Sequence, residues 1–303
     1  MADLFSSLQI GGRTLRNRIV MAPLPSGTAN NDGFVGNSAI DYYARLAQGG
    51  VGLILSETLL VRPPNTPQAH FGLYSDLFVP RLRQLVTLVR IQGARILLTL
   101  DAPVPEATIA TAALQQLGEA FILAIARAQR TGADGVLLSA ADGGLLHQLL
   151  SPLYNQRIDH YGTPSGRSRL MLEIVEGSRA WIGKRIILGV RLLPDEFTPG
   201  GLNAQDARML ARRLSAAGMQ LLDLAAPPAQ AHVARFPGWA IPLAHTIRRV
   251  LDVPVIGSGE LDDPHLADSI IRDGMVDLVM LDEALYHDPD WPLRAQKVLL
   301  DAE

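Results

Sequence analysis

Eight short apolar, β-branched runs are spread along the chain: RIVMAPL (18–24), VGLILS (51–56), RILLTL (95–100), DGVLLS (134–139), RIILGVRL (185–192), MQLLDLA (219–225), VPVIGS (253–258) and VDLVML (276–281). Runs that are continuous rather than alternating suit strands buried on both faces of a parallel sheet. Helical patterns lie between most of them. In FVPRLRQLVTLVRIQG, Leu82, Leu85, Val86 and Val89 share one face and Gly93 stops the pattern. NAQDARMLARRLSAAG offers Asn203 as cap, Leu210, Ala211 and Leu214 as stripe, and Gly218 as stop. DDPHLADSIIRDG has Asp263 as cap with Pro264 at the first helical position. Eight strand–helix alternations over 303 residues predict a (β/α)8 TIM barrel. A doubly wound sheet also alternates, but no G-x-G-x-x-G follows the first strand. No linker, low-complexity segment or short-period repeat divides the chain, so 1–303 reads as a single TIM-barrel domain.

The bulk properties exclude several functions. A net charge of −3 and a pI near 6.2 argue against nucleic acid or an anionic membrane surface as a partner held by bulk charge. Cysteine is absent, which removes disulfides, thiolate metal sites and a cysteine nucleophile. The opening MADLFSSLQIGGRTLRNR has no apolar signal region, and no apolar run reaches the length of a membrane span. A cytoplasmic location is expected.

In such barrels chemistry collects at the C-terminal ends of the strands. That singles out Pro23 to Ser26, Glu57 and Thr58, Thr99 to Ala102, Ser139 to Gly144, Arg191, Ala225 to Pro228, Ser258 to Glu260, and Asp282 with Glu283. His232, in the loop after the sixth run, is a further candidate.

Several segments carry a family likeness: LFSSLQIGGRTLRNRIVMAPL, then LLHQLLSPLYNQRIDHYG followed by Arg167 and Arg169, then VIGSGELDDP and DLVMLDEALYHDPDWPLRA. In these the chain resembles the Old Yellow Enzyme family, the NADH:flavin oxidoreductases. The resemblance implies a barrel that holds FMN at its C-terminal mouth and reduces activated alkenes. It also exposes departures. After its fourth strand the family carries His-x-x-His or His-x-x-Asn and then Gly-Tyr, to clamp a substrate carbonyl and donate a proton; here those positions are Ser139, Asp142 and Gly144. The family Gln that meets the flavin ring is Thr99, and the His-x-Gly-Arg beyond it is Asp101 to Val104. At the phosphate end, a Gly becomes Glu260 and a Gly-Arg becomes Asp282-Glu283. A like charge at about 5 Å costs roughly 3 kcal/mol at an effective dielectric near 20. The segment MAPL (21–24), Glu57-Thr58 and Arg191 are retained.

These departures lead to the expectation of a flavin-independent relative with no cofactor and no metal. It would bind a small molecule at the mouth and perform non-redox acid–base chemistry of the isomerase, cyclase or lyase type, as a pseudo-oxidoreductase of specialised biosynthesis. Asp142 and Ser139 are its candidate catalytic pair, with Thr99, Asp101, Arg191, Glu57 and His232 binding substrate. The bland reading of Asp142 and Ser139 is polar filler; that of His147 is packing on its helix. Glu260, Asp282 and Glu283 read either as a degraded phosphate site salt-bridged to arginines or as a cation site. The alternative is an FMN-dependent ene-reductase with an atypical phosphate site. A third reading is a non-catalytic subunit of a flavin-containing partner. Expected partners are a small-molecule substrate and either further copies of the chain or a related flavoprotein.

Overall fold

The structure is a computed structural model that describes residues 2–105, 109–226 and 233–301. The chain opens with a small antiparallel hairpin, β1 (Leu8–Ile10) and β2 (Arg13–Leu15). The barrel begins at β3 (Ile19–Met21), followed by α1 (Asn37–Gln48) and β4 (Leu53–Leu60), to which the two-residue β5 (Phe71–Gly72) is appended. Then come α2 (Val79–Ile91), β6 (Arg95–Asp101), α3 (Thr111–Thr131) and β7 (Gly135–Ala140). The short α4 (Leu145–Leu150) precedes α5 (Arg169–Ile182) and β8 (Ile187–Leu192). The last third holds α6 (Ala204–Ala217), β9 (Leu221–Leu224), α7 (Ile241–Arg248), β10 (Val255–Gly257), α8 (Pro264–Arg272) and β11 (Leu278–Leu281). Two helices close the chain, α9 (Glu283–His287) and α10 (Trp291–Leu300). Each of the eight apolar runs overlaps one barrel strand. All pairings in the ring are parallel, and contact of β3 with both β11 and β4 closes it.

The capping chemistry behaves as its residues dictate. Asn203 and Asp206 form a reciprocal capping box on α6, and Gly218 ends that helix at φ 112°. The Asp263 side chain accepts from the backbone N–H groups of His265 and Leu266. Among the described residues, no helix is long and apolar enough to cross a membrane.

The barrel interior is layered, because alternate residues of each strand face the axis. The floor is apolar: Val20, Leu53, Leu55, Leu97, Leu137, Ile187, Leu221, Ile256 and Leu278 form one buried cluster. Ile10 and Leu15 of the opening hairpin belong to the same cluster, so the hairpin plugs the bottom. The apolar runs do not announce this hairpin, which is too short and too polar to register as a strand pair. Arg95 and the backbone N–H of Ile96 both bond the buried Asp134 carboxylate, tying β6 to the loop before β7.

The floor leaves no room at the start of β7. A Cβ on Gly135 would lie 2.6 Å from the Ile187 carbonyl oxygen and 2.8 Å from Leu97 Cγ. Gly135→Ala is therefore expected to destabilise the fold by about 1–3 kcal/mol in urea unfolding. An unchanged midpoint would mean that the floor relaxes around an added methyl.

Candidate active site

One step above the floor the interior turns polar. By the same alternation, Thr99 follows Leu97, Ser139 follows Leu137, Asp223 follows Leu221 and Ser258 follows Ile256. Arg191 stands in register with Ser139 on one side and Asp223 on the other. Its Nη1 donates to Asp223 Oδ2 at 2.6 Å and its Nε to Asp142 Oδ2 at 3.2 Å. Arg191 is 9% exposed and Asp223 fully buried, while the Asp142 side chain is 57% exposed. Burial alone would discharge Arg191, but Asp223 and Asp142 more than offset it and raise its pKa. Burial pushes the Asp223 carboxyl up, and Arg191 pulls against it, leaving an ion pair sealed in the barrel. Asp223 did not stand out in MQLLDLA; the available signal was a lone carboxylate amid a fully buried strand.

Two atoms of this layer are buried without a hydrogen-bond partner among the described residues, Thr99 Oγ1 and Asp223 Oδ1. Each such atom costs about 1–3 kcal/mol when left unsatisfied. With Arg191 they supply a hydroxyl, an acceptor and a cationic donor, the complement of a ring edge that alternates C=O and N–H.

Above this layer a cavity of about 500 Å³ opens between the loops, with Asp101, Ser139, Asp142, Arg191, Ser258 and Asp282 in its wall. Asp101 ends β6, and its Oδ1 accepts from the backbone N–H of Ala102 at 2.8 Å. Burial raises its carboxyl to about 7; the backbone N–H groups of Ala102, Leu146 and Leu145 oppose this, and Asp142 reinforces it. The loop after β7 turns sharply, with Asp142 at φ 57° and Gly143 at φ 77°. His147 braces that turn. Its Nδ1 accepts from the Gly143 N–H at 3.1 Å, and its Nε2 meets Glu196 at 3.0 Å. Both ring nitrogens of His147 are thus engaged in holding the turn.

The structure brings Asp142, Ser139, Asp101 and Arg191 into one wall, with Thr99 in the layer below. Glu57 does not join them. Its carboxylate bonds Ser26 and the Tyr43 hydroxyl, and its neighbour Thr58 lines the cavity instead. The cause is a register shift in β4 between Leu55 and Thr58, which reverses the inward parity that the sequence suggests. His232 lies outside the described residues. Glu260, Asp282 and Glu283 gather at the rim, where all three are exposed. Burial and then Asp282, Glu260 and Glu283 raise the Asp262 carboxyl beside them. Among the described residues, no group of three or more His, Cys, Asp and Glu forms a metal site.

Two measurements check this electrostatic picture. Arg191→Met strands Asp223 in the interior and is expected to cost about 3–5 kcal/mol in urea unfolding. Adding Asp223→Asn should recover part of that loss, and strict additivity would show that the two are uncoupled. Folding raises the Asp101 pKa from 3.8 to about 7, so the folded state holds the proton more tightly. Stability should therefore fall by about 3–5 kcal/mol as pH rises between those values and level off above. In Asp101→Asn that fall should disappear; a variant that keeps it would place the titrating group elsewhere.

The sequence model of the NADH:flavin oxidoreductase / NADH oxidase family matches residues 3–108 and 101–302. An NADPH dehydrogenase of Geobacillus sp. (strain WCH70) is 33% identical over 98% of this chain and 94% of its own length. An NADH oxidase of Thermoanaerobacter brockii is 32% identical over 97% of the chain but only 51% of its own length, so the chain spans about half of that relative. Among solved structures, a 2-naphthoyl-CoA reductase superposes with TM-score 0.92 at 20% identity, over 98% of this chain and 52% of that one. Morphinone reductase gives 0.84 at 23% identity, over 98% and 90%. These two likenesses establish the barrel fold.

The comparisons correct the expectation of a cofactor-free, non-redox enzyme. The relatives carry the names of nicotinamide oxidoreductases, and nothing in them supports a flavin-free isomerase, cyclase or lyase or a biosynthetic pseudo-oxidoreductase. That expectation gave the acidic rim too much weight, counting close, unscreened repulsion for each carboxylate. Glu260, Asp282 and Glu283 stand in water, where charges are screened and the repulsion of a phosphate is a fraction of the interior value. With the match running nearly end to end, the chain belongs to the NADH:flavin oxidoreductase / NADH oxidase family.

Proposed function

We propose that the chain is a flavin-dependent oxidoreductase that uses reduced nicotinamide to reduce a small electron-poor substrate, of which an alkene conjugated to a carbonyl is the best match. A bound flavin supplies two-electron transfer between the nicotinamide and the substrate. The observation that carries this reading is the polar layer on an apolar floor. Arg191, Asp223 and Thr99 present unsatisfied or charged groups beneath a cavity of about 500 Å³. That donor and acceptor set fits the pyrimidine edge of a flavin ring, which would fill the two orphaned positions. Asp223 holds the Arg191 guanidinium in place, which orients its positive charge toward that edge. Asp142 takes the second face of the same guanidinium.

The far end of a flavin meets different chemistry. The exposed carboxylates of Glu260, Asp282 and Glu283 stand where the family resemblance puts the phosphate, with Asp282 in the cavity wall. Glu260 keeps the left-handed backbone, φ 57°, that suits glycine. The side chain of Asp282 accepts from the Glu283 N–H at 2.8 Å, occupying a donor that an anion would otherwise use. FMN is thus expected to bind through its ring, with the phosphate adding little.

Two experiments follow. The reconstituted protein should lose its visible flavin band when NADPH or NADH is added without air, and regain it when cyclohexenone or a similar enone is supplied. Bound flavin that no nicotinamide bleaches would contradict the proposed activity. The variant Glu260→Gly, Asp282→Gly, Glu283→Arg should tighten FMN at least about tenfold relative to riboflavin, because it removes three charges and adds one guanidinium. An unchanged FMN-to-riboflavin ratio would show that the phosphate lies elsewhere.

A further inference from the structure

The geometry points to Asp101 as the proton donor of this site, in place of a donor on the loop after β7; this assignment rests on the reductase reading above. Reduction of an enone needs a proton as well as an electron pair. The β-carbon gains a hydride from reduced flavin and the alkene π bond breaks. The electron pair left at the α-carbon then takes a proton, and the donor becomes its conjugate base.

The cavity wall offers few sources for that proton. Among the described residues its lining contains no Tyr, His, Lys or Cys. The hydroxyls of Thr58, Ser139 and Ser258 are weak acids, and the guanidinium groups of Arg191 and Arg235 hold their protons too tightly. Asp142 and Asp282 belong to exposed residues, and Asp142 is committed to Arg191. Asp101 differs from all of these. It is 7% exposed, stands on the interior-facing series of β6 above Leu97 and Thr99, and reaches the cavity. Its burial raises the carboxyl to about 7, so a substantial share stays protonated at neutral pH, against the pull of three backbone N–H groups and with the help of Asp142.

A second observation ties Asp101 to Gly144. The backbone of Gly144, φ −61° and ψ 169°, is one that any L residue adopts. A side chain there is blocked by one neighbour: a Cβ would overlap Asp101 Oδ2 and lie 3.2 Å from Asp101 Cγ. The carboxyl therefore occupies the space into which a side chain at position 144 would extend. Acid and glycine are two halves of one arrangement, in which the proton comes from β6 and the loop makes room for it. After delivery the O–H bond of Asp101 is broken, and the carboxylate regains a proton from water through the open cavity.

The test combines a titration with kinetics. Difference infrared spectra of wild type minus Asp101→Asn should show a protonated carboxyl C=O band at about pH 6 that is lost by about pH 8. Absence of that band at the lower pH overturns the assignment. In stopped flow on the flavin-loaded protein, Asp101→Asn should slow reoxidation by enone at least about 100-fold more than it slows reduction by nicotinamide, and remove the loss of the reoxidation rate with rising pH. Because an amide also alters the hydrogen bonds around residue 101, a swap provides the second arm. Gly144→Tyr alone should impair the site by collision. Asp101→Ala with Gly144→Tyr should restore enone reduction, with the loss of rate moved to higher pH. Enone reduction in Asp101→Asn at the wild-type rate and with the wild-type pH profile overturns the assignment alone. A wild-type chain that binds no flavin overturns the proposed function and this assignment together.

Discussion

The site depends on one ion pair buried at the base of the barrel mouth. Arg191 and Asp223 face each other across adjacent strands of a closed barrel, directly above an apolar floor. In that setting each charge is sustained by the other, and neither is tolerable alone. Asp223 fixes the guanidinium, and Asp142 extends the fixation to the loop after β7. From this anchor the rest of the mouth follows: the unsatisfied Thr99 hydroxyl in the same layer, the buried acid of Asp101 one step higher, and the water-exposed carboxylates at the rim.

Interior and rim obey different electrostatics, and confusing them leads to the wrong function. A carboxylate such as Asp101, largely buried in the wall of the mouth, shifts its proton affinity to about 7. Carboxylates such as Glu260 and Glu283 stand in solvent and repel weakly. Counting acidic substitutions along the chain treats both kinds alike. Four altered elements, the substrate clamp, the proton donor, the flavin-ring contact and the phosphate site, thus outweigh the retained Arg191 and MAPL segment in the sequence, and the flavin that the family relatives support falls to second place.

Much of the fold was legible from periodicity. The eight continuous apolar runs correspond to the eight barrel strands, and Asn203, Asp263 and Gly218 act as the caps and stop their chemistry predicts. What escaped was local. The plugging hairpin is three residues per strand, below the length at which alternation carries a signal. A register shift in β4 turned Glu57 away from the cavity and Thr58 toward it, which no count by twos anticipates. Asp223 was passed over because its strand reads as core. Asp101 was seen as a substrate contact, but its pairing with Gly144 is a relation between two strand ends that only the closed barrel brings together.

The central claim is that the mouth seats a flavin ring. Titration of the purified chain into dilute riboflavin and FMN, followed by flavin fluorescence and the visible band, tests it most directly. Saturable quenching at one site per chain is expected for both flavins, weakened in Arg191→Met. Fluorescence and absorbance of both flavins left unchanged at the highest protein concentrations would contradict it.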